Sequence, residues 1–444
     1  MFNEFKDQTI MDKKPSLDTI VSLCKRRGFV YPSAEIYGGI NGVYDFGPLG
    51  SLTKQHIRAF WVKHMKKESD NIVFLEGPIL GPTPMWQASG HLENFHDPMV
   101  DCLNCNKRLR SDELDLEKPC PHCGVKKWTE SRQFNLMFKT QMGAMAEQGS
   151  DAYLRPETAQ AIFVNFKNVH STSRVKIPFG IAQIGKAFRN EITPKQFLFR
   201  TREFEQMEIE WFCKAENSKK FFEFWLEARH RFYQNIGLNA DNIRFDAHKP
   251  EDLSHYSQAT TDVEYNFPFG WKELEGIADR GNFDLSQHTK FSGKDLAVFD
   301  DETKESYIPN VVECSVGVDR LFLALLCDAY NEEEIDGETR VVLKLNPAIA
   351  PISAAIIPLS KKLSEPARKI YDSLKFKFSV QYDESGSIGK RYRRQDEIGT
   401  PLCFTYDFDS ENDNMVTVRE RDTTNQTRIN IDAIEDYIRK TLQT

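Results

Sequence analysis

Two strand-like runs, 179–188 and 203–213, enclose a stretch that ends in Phe199-Arg200-Thr201-Arg202. Both runs are apolar enough to belong inside a sheet, and the polar segment 192–202 between them reads as the loop of an antiparallel hairpin. Arg189, Arg200 and Arg202 cluster on and around that loop beside two acidic strands, and they require a counter-anion. Surface salt bridges would supply one. A polyphosphate is the sharper alternative, because guanidinium forks bind phosphate oxygens bidentately.

A second run, Val312-Glu313-Cys314-Ser315-Val316-Gly317-Val318-Asp319-Arg320, reads as a strand that turns through glycine into a helix. Alone it is a weak signal, since many strand-to-helix turns look like it; beside the arginine hairpin it is a strong one. A third feature is a pair of knuckles, Cys102-Leu-Asn-Cys105 and Cys120-Pro-His-Cys123. Four thiolates at this spacing close a tetrahedral zinc site, with His122 as a substitute for one ligand. Such a site leaves no position for water, so the metal would brace its segment and take no part in catalysis.

With 444 residues the chain has room for about three domains. Its net charge of −8, 40% hydrophobic content and mean hydropathy of −0.53 exclude disorder and collagen-like repetition. No apolar run approaches the ~18 residues of a bilayer span, so no membrane association is expected. The opening residues lack a cationic and then apolar secretory pattern, which predicts a cytoplasmic address. Nine cysteines, four of them in the knuckles, suit a metal better than a disulfide framework. Beyond residue 360 acids and bases balance, and Lys390-Arg391-Tyr392-Arg393-Arg394 suits either RNA or a solvated loop near Asp396 and Glu397.

The glycines at 38, 39, 42, 47 and 50 lack the ending of a phosphate loop and read as turns beside a cleft. Apolar periodicity predicts helices over 51–67, 157–166, 217–236 and 320–330, with strands over 72–75, 262–267 and 309–316. A proline-containing linker, 345–352, leads into a unit that alternates strands (354–358, 378–382, 402–406, 415–419) with helices (364–374, 431–442).

The hairpin and the Gly-x-Asp-Arg turn resemble the second and third signature motifs of class II aminoacyl-tRNA synthetases. The helix at 51–67, the following strand and Pro78 resemble the first, which builds the dimer interface in that class. Tyr153-Leu-Arg-Pro-Glu157-Thr-Ala-Gln160, the Phe-Arg-Thr-Arg-Glu-Phe-Glu-Gln-Met-Glu run and the run from Gly386 to Gly399 are similar to the homodimeric glycyl branch, over essentially the whole chain. The resemblance implies an α+β fold: an antiparallel-sheet catalytic domain over 1–345, a zinc-binding insert at 95–130 within it, and an α/β anticodon-binding domain over 350–444. It implies ATP-dependent activation of glycine, transfer to tRNA(Gly) in protein biosynthesis, a homodimer, Mg2+ on the phosphates and a structural Zn2+ on Cys102, Cys105, Cys120 and Cys123.

By the same resemblance Arg189 and Arg320 are the catalytic residues: Arg189 grips the α-phosphate, and Arg320 covers the adenine and reaches the γ-phosphate. Glu191 receives the adenine amino group, and Phe204 stacks under the ring. Asn190, Phe199, Arg200, Thr201, Arg202, Glu203, Glu273, Leu274, Gly317, Val318 and Asp319 complete the ATP site. Glycine would meet Glu157, Glu208, Glu313 and Ser315, within the runs from Phe204 through Glu205, Gln206 and Met207 to Glu208 and from Glu313 through Cys314, Ser315 and Val316 to Gly317, and also Arg110 from the insert. Cys314 stands where the family usually carries proline. Lys390 to Arg394 and Gln395 would face RNA. The rivals are a non-catalytic RNA-binding relative, a zinc-ribbon RNA module, and a synthetase for serine, alanine or proline.

Overall fold

The computed structural model describes residues 14–112, 114–143, 150–254, 256–335 and 337–442; the opening segment on which the secretory reading rested lies outside them. Among the described residues no helix is long and apolar enough to cross a membrane. The core of the larger unit is a seven-stranded sheet. In chain order its strands are β1 (Ile72–Phe74), β2 (Phe179–Phe188), β3 (Glu203–Cys213), β4 (Ile243–Ala247), β5 (Ala259–Phe267), β6 (Gly270–Gly281) and β7 (Asn310–Gly317). They lie side by side as β4-β5-β6-β7-β3-β2-β1, antiparallel throughout except for the parallel edge pair β1–β2.

Alternation divides each strand between two faces. On the back face, Met207, Ile209 and Trp211 of β3 oppose Val316, Cys314 and Val312 of β7. There they join one hydrophobic core with α3 (Ser218–Ile236), α5 (Val318–Ala329) and α1 (Pro48–Glu68). The stripe expected over 217–236 is this contact: Trp225, Ala228, Phe232 and Ile236 are fully buried. On the front face, the far end of the sheet carries Ile181, Phe212 and Val311 under α2 (Ala159–Ser173) and α4 (Phe283–Ser292). The loop end of that face stays open and polar.

Two glycines of the early turn cluster serve close approaches. A Cβ on Gly50, inside α1, would sit 1.9 Å from the Phe29 carbonyl oxygen, so only glycine lets the backbone at Phe29 pass the helix. Gly42 has φ +75° and offers its carbonyl to the Arg202 N–H at 2.8 Å. The turn thus braces the hairpin loop.

The smaller unit has a five-stranded sheet in the order Val380–Tyr382, Ala354–Pro358, Leu402–Tyr406, Met415–Glu420, Gln426–Asn430. The first three strands are parallel and the rest antiparallel, with helices Ser364–Leu374 and Ile434–Leu442 closing a separate core. The segment 345–352, expected to be a linker, is packed: Leu345, Ile349 and Ile352 are buried in the larger core.

Several elements were not anticipated. Central strand β6 escaped because it buries Glu275, Asp279 and Arg280, whose charges break the apolar alternation. Helix Ile388–Ile398 escaped for the same reason, its buried positions being Arg391, Gln395, Asp396 and Ile398. Helices Leu17–Arg27 and α4, and the hairpin Tyr330–Ile335 with Glu338–Leu343, were missed as well.

On the back face Glu275 is fully buried and meets Arg229 of α3 at 2.7 Å, with Tyr233 donating a second hydrogen bond at 2.5 Å. Removing one partner strands the other charge without water. Arg229→Met is therefore expected to lower unfolding free energy by about 3–5 kcal/mol, read from the denaturant midpoint.

Candidate active site

The open end of the front face is a cleft of about 320 Å³. Its floor follows from the register: Gln206 opposes Gly317, Glu208 opposes Ser315, and on the next strand Gly276 and Ala278 oppose Ser315 and Glu313. Small residues on β6 and β7 leave the hollow, and a Cβ added at Gly276 would meet nothing within 4 Å.

A buried knot behind the floor holds the three signature segments together. Lys54 of α1 meets Glu205 of β3 at 3.0 Å and Asp319 of α5 at 3.1 Å, and all three are buried. Asp319 also accepts from the Glu205 backbone N–H at 2.7 Å. Arg155, equally buried, donates to the carbonyls of Lys186 at 2.6 Å and Gly77 at 2.8 Å, which fixes the segment before Pro78 against β2.

Arg189 and Arg320 open onto the same cleft from opposite ends of the motif set. The Arg189 guanidinium lies 5.3 Å from the Phe204 ring centroid, with its Nε donating to the Pro156 carbonyl at 3.1 Å. Arg320 lies 4.5 Å from the Phe199 centroid and donates to the Phe199 and Glu273 carbonyls at 3.0 and 3.2 Å. These anchors hold both planes with little rotamer freedom, and each ring presents its π-face to a cation. Burial raises the Glu191 carboxyl, against the pull of Arg200 and Arg189.

Acids crowd the inner end. Glu157 takes hydrogen bonds from Gln160 at 3.0 Å and pairs with His91 at 3.2 Å; burial opposes its ionisation, but His91 and Arg280 hold its carboxyl well below the usual range. Glu313 is bonded to Arg280 at 2.6 Å, and Arg280 also grips Asp284 at 2.7 Å and stacks 3.9 Å from the Tyr256 centroid. Glu208 has no such cation. Burial, with Glu313 and Glu157 nearby, pushes it up to about 8 while Thr158 donates to it. Behind it Glu210, fully buried, is raised well above the ordinary value by desolvation and Glu313.

In the insert, strands Arg108–Arg110, His96–Asp101 and Arg132–Asn135 form an antiparallel sheet beside the four cysteines. Their Sγ atoms all lie within 4.8 Å of one another, with Cys102 to Cys123 at 3.6 Å and Cys105 to Cys120 at 3.8 Å. A tetrahedron of ~2.3 Å Zn–S bonds has edges of about 3.8 Å, so the cage fits that ion. Each knuckle turns on a left-handed residue, Asn106 or Gly124, whose N–H returns to the first cysteine's carbonyl. His122 is exposed and outside the cluster. A second acidic cluster, Glu208, Glu210 and Glu313, does not suit Mg2+, because two members are held toward their neutral form and the third is bonded to Arg280.

Comparison with known proteins decides the family. Residues 138–330 match the tRNA synthetase class II core domain (G, H, P, S and T), and residues 353–441 match an anticodon binding domain. The glycine–tRNA ligase of Caldanaerobacter subterraneus subsp. tengcongensis is 54% identical over 98% of this chain and 100% of its own length. Those of Geobacillus thermodenitrificans and Clostridium kluyveri are 51% and 50% identical, over 97% and 98% of this chain and 98% and 100% of theirs. The chain belongs to the glycine–tRNA ligase family.

For a glycine–tRNA ligase, most of the expected site residues fall together. Arg189, Glu191, Phe199, Arg200, Thr201, Phe204, Glu273, Leu274, Gly317, Asp319 and Arg320 line the cleft, as do Glu157, Gln206, Glu208, Glu313 and Ser315. Others are turned elsewhere. Strand alternation puts the side chains of Glu205, Met207, Cys314 and Val316, members of the runs expected around glycine, on the back face. Val318 is buried in the core, Arg202 braces the Glu191 carbonyl at 2.9 Å, Glu203 pairs with Lys186 at 2.9 Å, and the Asn190 N–H is bonded to the Leu136 carbonyl at 2.7 Å. Arg110 meets Asp97 at 2.9 Å and Asp112 at 2.6 Å and does not line the cleft.

Sequence reasoning missed His248, Ser254, Tyr256, Thr260 and Asp262 on the cleft wall, together with Arg280 behind it. The polar face of the strand at 262–267 and the small residues two apart on β6 were the available signal.

The Glu208 carboxyl keeps its proton in the fold up to about pH 8, whereas an ordinary one loses it near 4.5. As pH rises through that window this residue makes the ligand-free fold less stable, and Glu208→Gln removes its share of the slope. A cation seated beside it favours the ionised form. Glycine uptake at pH 7 is expected to release protons, seen by calorimetry in two buffers of different ionisation enthalpy, and Glu208→Gln abolishes the release.

Proposed function

We infer that the protein activates glycine with ATP to glycyl-adenylate, expelling pyrophosphate, and then transfers glycine to the 3′ end of tRNA(Gly). The observation that carries this reading is one cleft that joins two anchored guanidinium groups to a small pocket rich in acids. The glycine carboxylate is itself the nucleophile toward the α-phosphate, so no serine or cysteine is needed. Catalysis then consists of alignment and neutralisation of charge building on that phosphate.

In this reading Arg189 bridges the α-phosphate and the glycine carboxylate, and Phe204 supports the adenine. Arg320 reaches the terminal phosphates and Glu191 takes the adenine amino group. Thr201 and Arg200 border the triphosphate, with Mg2+ carried on the phosphates. Glu157, Glu208 and Glu313 surround the ammonium, which supplies the cation that the buried Glu208 lacks. A substrate methyl directed at this acid-lined floor would cost about 1–3 kcal/mol by overpacking. The four-cysteine cage is assigned a structural Zn2+, closed to water.

The remaining assignments follow the family. A homodimer is supported by the sheet edge at β1, where Phe74 stays 41% exposed, and by the segment that follows it, where Ile79 and Leu80 stay 38% and 44% exposed. The two-domain division, catalytic to about residue 345 and anticodon-binding from about 350, is supported by the separate cores and by the matched ranges. A cytoplasmic site of protein synthesis is the setting this activity implies.

ATP–pyrophosphate exchange with each of the twenty amino acids tests the reading: glycine alone is expected to support it, and exchange with none would end it. Arg189→Met is expected to lower kcat/KM for exchange about 100- to 1,000-fold. Purified protein should hold about one zinc per chain by elemental analysis, and Cys120→Ser should lose it together with thermal stability of the insert.

A further inference from the structure

The run from Gly386 to Gly399 is rich in arginine, yet little of it is available to RNA. Arg391 is buried and donates to the Pro358 carbonyl, Gln395 is buried against Gln381 and Thr400, and Arg394 is bound by Asp383 at 2.8 and 2.7 Å. The helix instead ends in a buried joint. Asp396, fully buried, accepts from Arg340 Nε at 2.8 Å and from Arg419 at 2.9 and 3.2 Å. Arg340, also fully buried, donates to Glu333 at 2.7 Å and to the Arg421 carbonyl at 2.6 Å. Two guanidinium groups thus meet two carboxylates, and Lys344 pairs with the outer one, Glu333, at 2.8 Å.

The joint crosses between the two units. Arg340 and Glu333 belong to the hairpin Tyr330–Ile335 with Glu338–Leu343, which begins where α5 ends. The first turn of α5 carries Asp319 and Arg320 of the cleft. Asp396, Arg419 and Arg421 belong to the smaller unit, whose Ile398 enters the larger hydrophobic core. Gly399 lies so close that a Cβ would stand 3.1 Å from the Leu343 carbonyl oxygen. Domain pairs joined by small polar contacts move freely by default, whereas planar guanidinium forks on a buried carboxylate fix an angle.

We propose that the Arg340–Asp396–Arg419 joint fixes the separation between the tRNA-binding domain and the ATP cleft, making Asp396 and Arg340 positioning residues for the transfer step. A tRNA gripped at its anticodon and reacting at its 3′ end needs that separation held. An acceptor-stem RNA without an anticodon arm does not. The proposal rests on the glycine–tRNA ligase reading above.

The test compares wild type with Asp396→Asn and Arg340→Lys in three assays. Glycine-dependent ATP–pyrophosphate exchange is expected to stay within about twofold, and aminoacylation of full-length tRNA to lose about tenfold or more in kcat/KM. Aminoacylation of the acceptor-stem RNA is expected to follow wild type. Equal losses on both RNAs, or no loss on either, overturn the joint. Failure of wild-type exchange would instead overturn the underlying reading. If either variant loses exchange through misfolding, Glu333→Gln, at the half-exposed end of the network, carries the same comparison: a loss confined to full-length tRNA supports the proposal, and any other pattern overturns it.

Discussion

Carboxylates gathered away from water cannot all ionise unless a cation joins them, and this constraint organises the protein's front face. Arg280 answers Glu313 and Asp284, and His91 with Gln160 answers Glu157, but Glu208 and Glu210 are left with raised affinities for protons. The cleft is therefore built short of positive charge at the spot where a small ammonium fits. The family's substrate, glycine, carries that charge and little else. On the proposed reading, the acids that attract the ammonium also fill the space that a larger side chain would need.

The same sheet supports the opposite electrostatic task a few ångströms away. Arg189 and Arg320 meet the cleft from different chain segments, each braced by carbonyl acceptors and an aromatic face. Fixed cations of this kind need no reorganisation as charge develops on a phosphate. Their placement depends on the Lys54, Glu205 and Asp319 knot, which binds the first, second and third signature segments behind the floor. Charge is thus used in three ways: paired and buried for shape, positive at the cleft wall where Arg320 also meets Glu273 at 3.3 Å, and acidic at the inner end where Glu208 is held toward its neutral form.

Much of this was legible beforehand because it is written in local patterns. The hairpin β2–β3, the helical stripe of α3, the cysteine knuckles and the strand-to-helix turn at Gly317 each depend on residues close in the chain. What escaped were elements whose burial is achieved by ion pairs. Strand β6 and helix Ile388–Ile398 carry charges that look solvent-facing until their partners, tens of residues away, are seen. The basic run near Lys390 illustrates the point: Arg391 and Arg394 are bound within the smaller unit, to the Pro358 carbonyl and to Asp383.

The sequence by itself determined the class of fold, the family, the residue types at the cleft and the four clustered cysteines, since motif spacing and periodicity are properties of neighbouring residues. Tertiary structure alone decided which side chains of β3 and β7 face the cleft, which acids find a cation, and which arginines remain open to a ligand. Those outcomes depend on strand register and on contacts between distant segments. A shift of one residue would have exchanged Glu208 for Met207 on the floor, and with it the chemistry of the pocket.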